Sequence, residues 1–149
     1  MVERRFAPVA AYAGRVTLPA RKTARSAGYD LEAADDVTVA PGEVALIPTG
    51  LKAYMGEDDV LLLYIRSSLS VKRALMLANG VGVVDADYAD NPDNEGHIMV
   101  AVYNHGSAPI QVAKGERVAQ GMFVHFLATV DDTAGGQRTG GFGSTGSRG

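Results

Sequence analysis

The stretch Val37-Thr-Val-Ala-Pro-Gly-Glu-Val-Ala-Leu-Ile-Pro-Thr-Gly-Leu-Lys-Ala-Tyr-Met-Gly-Glu-Asp-Asp-Val-Leu-Leu-Leu-Tyr-Ile65 decides the fold class. Its apolar runs, Val37–Val39, Val44–Ile47, Leu51–Met55 and Val60–Ile65, are short and broken by Ala40-Pro-Gly42, Pro48-Thr-Gly50 and Gly56. Such segments between Gly/Pro turns are strands of a barrel or sandwich. The same rhythm recurs at Val81–Val84, His97–Tyr103, Ile110–Val112 and Arg117–Leu127, so the chain is expected to be all-β. One short helix is predicted around Ser68 to Leu75, with the Ser67-Ser68 pair as its cap. No βαβ unit is present, which excludes Rossmann and TIM architectures. The apolar pattern stops near Asp131, so residues 1–130 read as one β domain and residues 131–149 as a mobile Gly-rich arm.

Composition sets limits on function. The 149 residues suffice for one domain with its own core. There is no Cys, hence no disulfide, thiol nucleophile or Cys-ligated metal, which fits a cytoplasmic protein. A net charge of −3 offers no global field for nucleic acid, so phosphate recognition has to be local. No apolar run is long enough to span a membrane, and Met1–Phe6 lack a secretory apolar stretch.

Chemistry concentrates in a few blocks. Ser26-Ala-Gly-Tyr-Asp-Leu31 is a small-residue turn entering a strand, where Asp30 reads as structural. Arg66-Ser-Ser-Leu-Ser70 follows the most apolar strand; it is either a helix cap or a phosphate cradle of hydroxyls and a guanidinium. In Asn79-Gly-Val-Gly-Val-Val-Asp-Ala-Asp-Tyr88, the glycines let backbone lie close to a flat ligand. Asp85 and Asp87 are two residues apart and share a face if the strand continues through them. Gly115-Glu-Arg-Val-Ala-Gln-Gly-Met-Phe123 is a turn and strand carrying Gln120. His97, His105 and His125 lack metal-ligand spacing. The terminal Thr139-Gly-Gly-Phe-Gly-Ser-Thr-Gly-Ser-Arg-Gly149 reads by composition as a disordered tail. Its single aromatic, Phe142, with Arg138 and the hydroxyls, equally suits a lid over a base and its phosphates. A P-loop does not fit, because Ser147 stands where the lysine is needed.

In order, these blocks resemble the motifs of the trimeric deoxyuridine triphosphatase family: Ala27-Gly-Tyr-Asp-Leu31, Arg66-Ser-Ser68, Gly82-Val-Val-Asp-Ala-Asp-Tyr88, Gly115-Glu-Arg-Val-Ala-Gln120 and Arg138-Thr-Gly-Gly-Phe-Gly-Ser144. The resemblance runs from about Leu18 to Gly146 and implies a distorted jelly-roll-like barrel assembling as a homotrimer. The active sites would lie at subunit interfaces, each closed by a neighbour's arm. It implies cleavage of dUTP to dUMP and pyrophosphate, with Mg2+ carried on the triphosphate. By resemblance, Asp85 is the acid that activates water, and Asn79 with the Gly80–Val84 backbone, including Gly82 and Val84, reads uracil. Tyr88 packs on deoxyribose and excludes a 2′-hydroxyl. Arg66, Ser67, Ser68 and Gln120 hold phosphates, and Arg138 reaches the terminal one. Phe142, followed by Gly143 and Ser144, covers the base, while Asp30 organises water and magnesium.

Two departures stand out. The turn after Tyr88 is longer than the family's usual Tyr-x-Gly-Glu, and its residues 89–96 are expected to alter loop packing or form a protein-contact surface. Ser68 stands where many relatives have Gly. The same fold also serves dCTP deaminases, which share the Ser-Ser-Leu segment but place a catalytic Glu about where this chain has Ala101. Alanine can neither activate water nor shuttle protons. A non-catalytic nucleotide-sensing module would be expected to lose Asp85 or the arm.

Overall fold

The computed structural model describes residues 3–141. Eleven strands and one short α-helix, besides a single 3-10 turn at Ala10–Tyr12, follow in the order β1 (Arg5–Pro8), β2 (Tyr29–Glu32), β3 (Val37–Val39), β4 (Val44–Pro48), β5 (Leu51–Tyr54), β6 (Asp59–Ile65), α1 (Ser67–Lys72), β7 (Leu75–Leu77), β8 (Gly82–Asp85), β9 (Met99–Asn104), β10 (Ile110–Val112) and β11 (Arg117–His125). The expected all-β, jelly-roll-like architecture is present. All pairings are antiparallel: a sheet of order β2-β11-β6-β8, one of order β4-β9-β7, and the pairs β1-β5 and β3-β10.

Both larger sheets face one core. Leu31, Leu61, Leu63 and Val118 from the first meet Ile47, Val100, Val102 and Leu75 from the second, all buried. Alternation along β4 and β9 puts every second residue on the other side. There the register opposes Val44 to Tyr103, Leu46 to Ala101 and Pro48 to Met99, with Met76 of β7 also opposite Tyr103. Val44, Leu46 and Met76 are about half exposed, so the sheet carries a second apolar face.

Several local expectations need correction. The helix spans Ser67–Lys72 rather than Ser68 to Leu75, its N-cap residue is Arg66, and no side chain caps it. Ala74, with φ of 56°, turns the chain out of the helix, and Leu75 begins β7 instead. Neither β1 nor β7 follows from the apolar pattern, since each is four residues or fewer and finds its partner far away in sequence. β9 begins at Met99, not His97, and β11 ends at His125. Residues 131–141 have no regular structure, and no described helix is long and apolar enough to cross a membrane.

Candidate active site

β8 is short because its glycines end it. Gly80 takes a φ of 75° at the entering turn. Gly82 faces β6 so closely that a Cβ would lie 2.9 Å from the Leu63 Cβ. The glycine is therefore required by packing against β6 as well as by the pocket beside it. Past Asp85 the backbone turns, with the Tyr88 N–H donating to the Asp85 carbonyl at 3.1 Å. Asp85 and Asp87 thus share a turn and are not alternate residues of one strand, as the sequence pattern predicts. They converge nonetheless, because Arg138 donates to both: Nη2 to Asp85 at 2.5 Å and Nε to Asp87 at 2.7 Å. The guanidinium, its side chain only 12% exposed, also lies 5.8 Å from the Tyr88 ring centre. Hydrogen bonding to Asp87 leads the effects that hold the Arg138 pKa above its ordinary value.

A cavity of about 260 Å³ opens beside this cluster, lined by Leu63, Asn79, Gly82, Val84, Asp85, Tyr88 and Arg138 among others. Its lining, apolar at Leu63, Val84 and Ile98 and polar at Asn79, suits a flat base with polar edges. Tyr88 is buried and clamped at both ends of its polar reach. Its hydroxyl donates to the His97 carbonyl at 2.8 Å and accepts from Asn94 Nδ2 at 2.9 Å. Burial raises the Tyr88 pKa, and the Asn94 hydrogen bond works against that rise.

A second cluster gathers at the other end of β6. Gln120 of β11 stands opposite Asp30 of β2 and Tyr64 of β6. A Cβ on Gly28 would come 2.7 Å from Gln120 Oε1 and 3.1 Å from its Cβ, so the Gln120 side chain would have to shift. Arg66 and Arg117 approach Asp30 at 3.9 and 3.5 Å. Ser67 and Ser68 are exposed on the first turn of α1. Their hydroxyls do not cap the helix and remain able to donate to an anion. Among the described residues, no three His, Asp or Glu side chains converge as a metal site.

Within one chain the structure joins Asn79, Gly82, Val84, Asp85, Tyr88 and Arg138, and separately Asp30, Arg66, Ser67, Ser68 and Gln120. It keeps Asp85 apart from Arg66, although Gly82 pairs with Leu63, next to Tyr64, the partner of Gln120. Asp85 pairs with Val60 at the start of β6, whereas Arg66 follows its end. At ~3.3 Å per residue, six residues separate them by about 20 Å. Phe142, Gly143 and Ser144 lie outside the described residues. Asn91, Asn94 and His97 are neighbours of the site that sequence reasoning passed over; the Asn-Pro-Asp-Asn run, rich in side chains that bond their own turn, was the available signal.

Comparison with known proteins follows the same pattern. The sequence model of the dUTPase family matches residues 14–146. The deoxyuridine 5'-triphosphate nucleotidohydrolase of Lactococcus lactis is 53% identical over 133 residues, covering 88% of this chain and 89% of that one. The crystal structure of dUTPase from Streptococcus mutans superposes with a TM-score of 0.81 at 44% identity, covering 84% of this chain and 98% of that one. A variant dUTPase from phage phi11 of S. aureus, 22% identical with a TM-score of 0.70 over 89% of this chain and 98% of its own, shares the fold and is described as coordinating a structural Mg(II) ion.

Proposed function

The chain belongs to the dUTPase family of dUTP diphosphatases, and on that premise we propose that it cleaves dUTP to dUMP and pyrophosphate with Asp85 as general base. The reaction limits uracil incorporation into DNA and supplies dUMP for dTMP synthesis. One observation carries the mechanism: Asp85 lines the same cavity as Gly82, Val84 and Tyr88. Uracil enters between the β8 backbone and Asn79, deoxyribose packs on Tyr88, and the α-phosphate then lies near Asp85. A water attacks the α-phosphorus while Asp85 takes its proton. The new P–O bond forms as the bond to the bridging oxygen breaks, and pyrophosphate leaves with that electron pair. Arg66, Ser67, Ser68 and Gln120 bind the phosphate chain. Arg138 would exchange its carboxylates for the more highly charged triphosphate, with Phe142, Gly143 and Ser144 covering the base.

Magnesium fits this scheme as part of the substrate, where it neutralises charge on the phosphates. Asp30, beside Arg66 and Arg117 at the phosphate end, is suited to hold its water shell. The phi11 protein's structural Mg(II) ion is in keeping with a metal requirement in this fold.

We also propose a homotrimer whose sites are shared. The roughly 20 Å between Asp85 and Arg66 along β6 supports a second copy supplying the phosphate cluster. The exposed apolar face of Val44, Leu46 and Met76 supplies a surface for it. Residues 1–130 form the barrel in this scheme, and residues 131–149 close a neighbouring site. A deaminase reading gains nothing from the geometry, because Ala101 opposite Leu46 carries no proton-transferring group.

The test is pyrophosphate release from dUTP, dTTP, dCTP and UTP with magnesium. The expected outcome is turnover confined to dUTP, since a thymine methyl meets the β8 wall and a ribose 2′-hydroxyl meets Tyr88. Comparable turnover of UTP and dUTP would overturn it.

A further inference from the structure

Resting on that reading of the site, we infer that Asn94 is a specificity-determining positioning residue, which holds the Tyr88 ring against the sugar and seats the arm beside it. The long turn after Tyr88 folds inward. Asn91, only 6% exposed, donates from Nδ2 to the Tyr88 carbonyl at 2.7 Å and to Asn94 Oδ1 at 2.8 Å. Its Oδ1 accepts the N–H groups of Asp93 and Asn94 at 3.0 and 3.1 Å. Asn94 Oδ1 also accepts the Gly96 N–H at 3.0 Å, which leaves its Nδ2 directed at the Tyr88 hydroxyl. The amide orientation is therefore set by acceptor contacts on one side and the phenol on the other.

The outer edge of the loop holds this arrangement under strain. Asp90 and Glu95 have φ of 60° and 65°, two of the three non-glycine left-handed residues among those described. Lys52 bridges them, donating to Asp90 at 2.5 Å and to Glu95 at 2.8 Å, and the Tyr54 hydroxyl donates to Asp90 at 2.5 Å. Gly96, with φ of 85°, approaches Ala89 so closely that a Cβ would lie 2.6 Å from its Cα. The loop is closed on itself at both faces.

Its third contact is with the arm. The Gly141 N–H donates to Asp93 at 3.1 Å, and a Cβ at Gly141 would collide with the Asn94 amide at 2.6 Å. One side chain therefore touches both the ring that judges the sugar and the glycine that precedes Phe142. The Tyr88 hydroxyl also donates to the His97 carbonyl at 2.8 Å, so a ring held at both points resists swinging to admit a 2′-hydroxyl, and one held by His97 alone is looser.

The experiment compares kcat/KM for dUTP and UTP in the full chain and in Asn94→Ala, Asn94→Asp, Tyr88→Phe and the double variant Asn94→Asp/Tyr88→Phe. Asn94→Asp keeps the size and the acceptors for Gly96 and Asn91 but loses the donor to Tyr88, whose hydroxyl can bond the new carboxylate only by giving up the His97 carbonyl; this guards against mere loop collapse. Both Asn94 variants are expected to lower the dUTP-to-UTP ratio by roughly ten-fold or more. The Asp substitution should add nothing once the hydroxyl is gone. Unchanged ratios in both variants, or multiplying effects in the double variant, would overturn the proposal. The aromatic resonance of Tyr88, identified by its loss in Tyr88→Phe, gives a readout independent of turnover: it should shift in Asn94→Ala, and an unmoved resonance also overturns the positioning role. Absence of dUTP cleavage by the unaltered chain would instead overturn the activity itself, and the resonance would still decide the role of Asn94.

Discussion

Asp85 and Asp87 are chemically alike and share Arg138, yet only one borders the narrow cavity. Asp85 lines it together with Gly82, Val84 and Tyr88 and also borders a second, more open hollow, whereas Asp87 lines only that second one, with Met55, Glu57 and Phe126. Both carboxylates are more than half exposed, and the group they share is Arg138. Asp85→Asn is expected to keep the fold and nucleotide binding and to lose ~10²–10⁴-fold in turnover, the usual cost of a missing general base. Asp87→Asn removes one of two partners of Arg138 and should cost far less. Steady-state kinetics of the two variants, with circular dichroism as the control, checks the assignment. A larger loss in Asp87→Asn would exchange the roles.

At the scale of elements, the loop between β8 and β9 concentrates ionisable groups whose charges are set by folding. Hydrogen bonds from Lys52, and then from Tyr54, hold the Asp90 pKa below its ordinary value; those from Lys52 and the Ala10 N–H do the same for Glu95. Burial lowers the His97 pKa, although Glu95 and Asp35 pull the other way, and its Nε2 accepts the Gly50 N–H at 2.9 Å. The imidazole is therefore bound neutral, and protonating it destroys that bond. For a base with a lowered folded pKa, the unfolded chain takes up the proton first, so stability falls as pH drops from 6.5 towards the folded value. The carboxylates contribute above their unfolded values of 3.8 and 4.5 and lose that contribution as pH falls through their lower folded values. The thermal midpoint should thus be level near neutrality, decline below 6.5 and decline again below 4.5. In His97→Gln the first decline should be absent. A midpoint level down to the carboxylate range in the unaltered chain would contradict the bound neutral imidazole.

At the scale of the molecule, the proposed homotrimer would bury the exposed face of Val44, Leu46 and Met76. Leu46 is 45% exposed, so Leu46→Glu should leave the single-chain fold intact while separating the subunits. Light scattering after gel filtration should report a monomer with a native circular dichroism spectrum and lost dUTP turnover. A trimer persisting in Leu46→Glu would move the interface elsewhere. The arm is tested by two inactive proteins, Asp85→Asn and a deletion of residues 136–149, unfolded together and refolded. If arms cross between chains, mixed trimers regain sites that combine an intact Asp85 with a neighbour's arm. The contact of Arg138 with Asp85 and Asp87 of its own chain makes the opposite result informative. Mixed trimers, verified by native mass spectrometry, that recover no activity would show that each arm serves its own chain or is not a lid.

The sequence by itself determined the all-β class, the central strands and the motif order, because alternation and Gly/Pro turns are local properties of the chain. The apolar run Val60–Ile65 is strand β6 within one residue. It could not determine β1 or β7, which are too short to carry a periodic signal and exist only through distant partners. Nor could it show that Asp85 and Asp87 meet on Arg138, 51 residues beyond Asp87, or that Asn94 turns inward onto Tyr88. The tertiary structure decided these points, and also the separation of Asp85 from Arg66 along β6. Spacing along a chain fixes which face a nearby side chain takes, whereas convergence of distant side chains depends on strand pairing that no local pattern encodes.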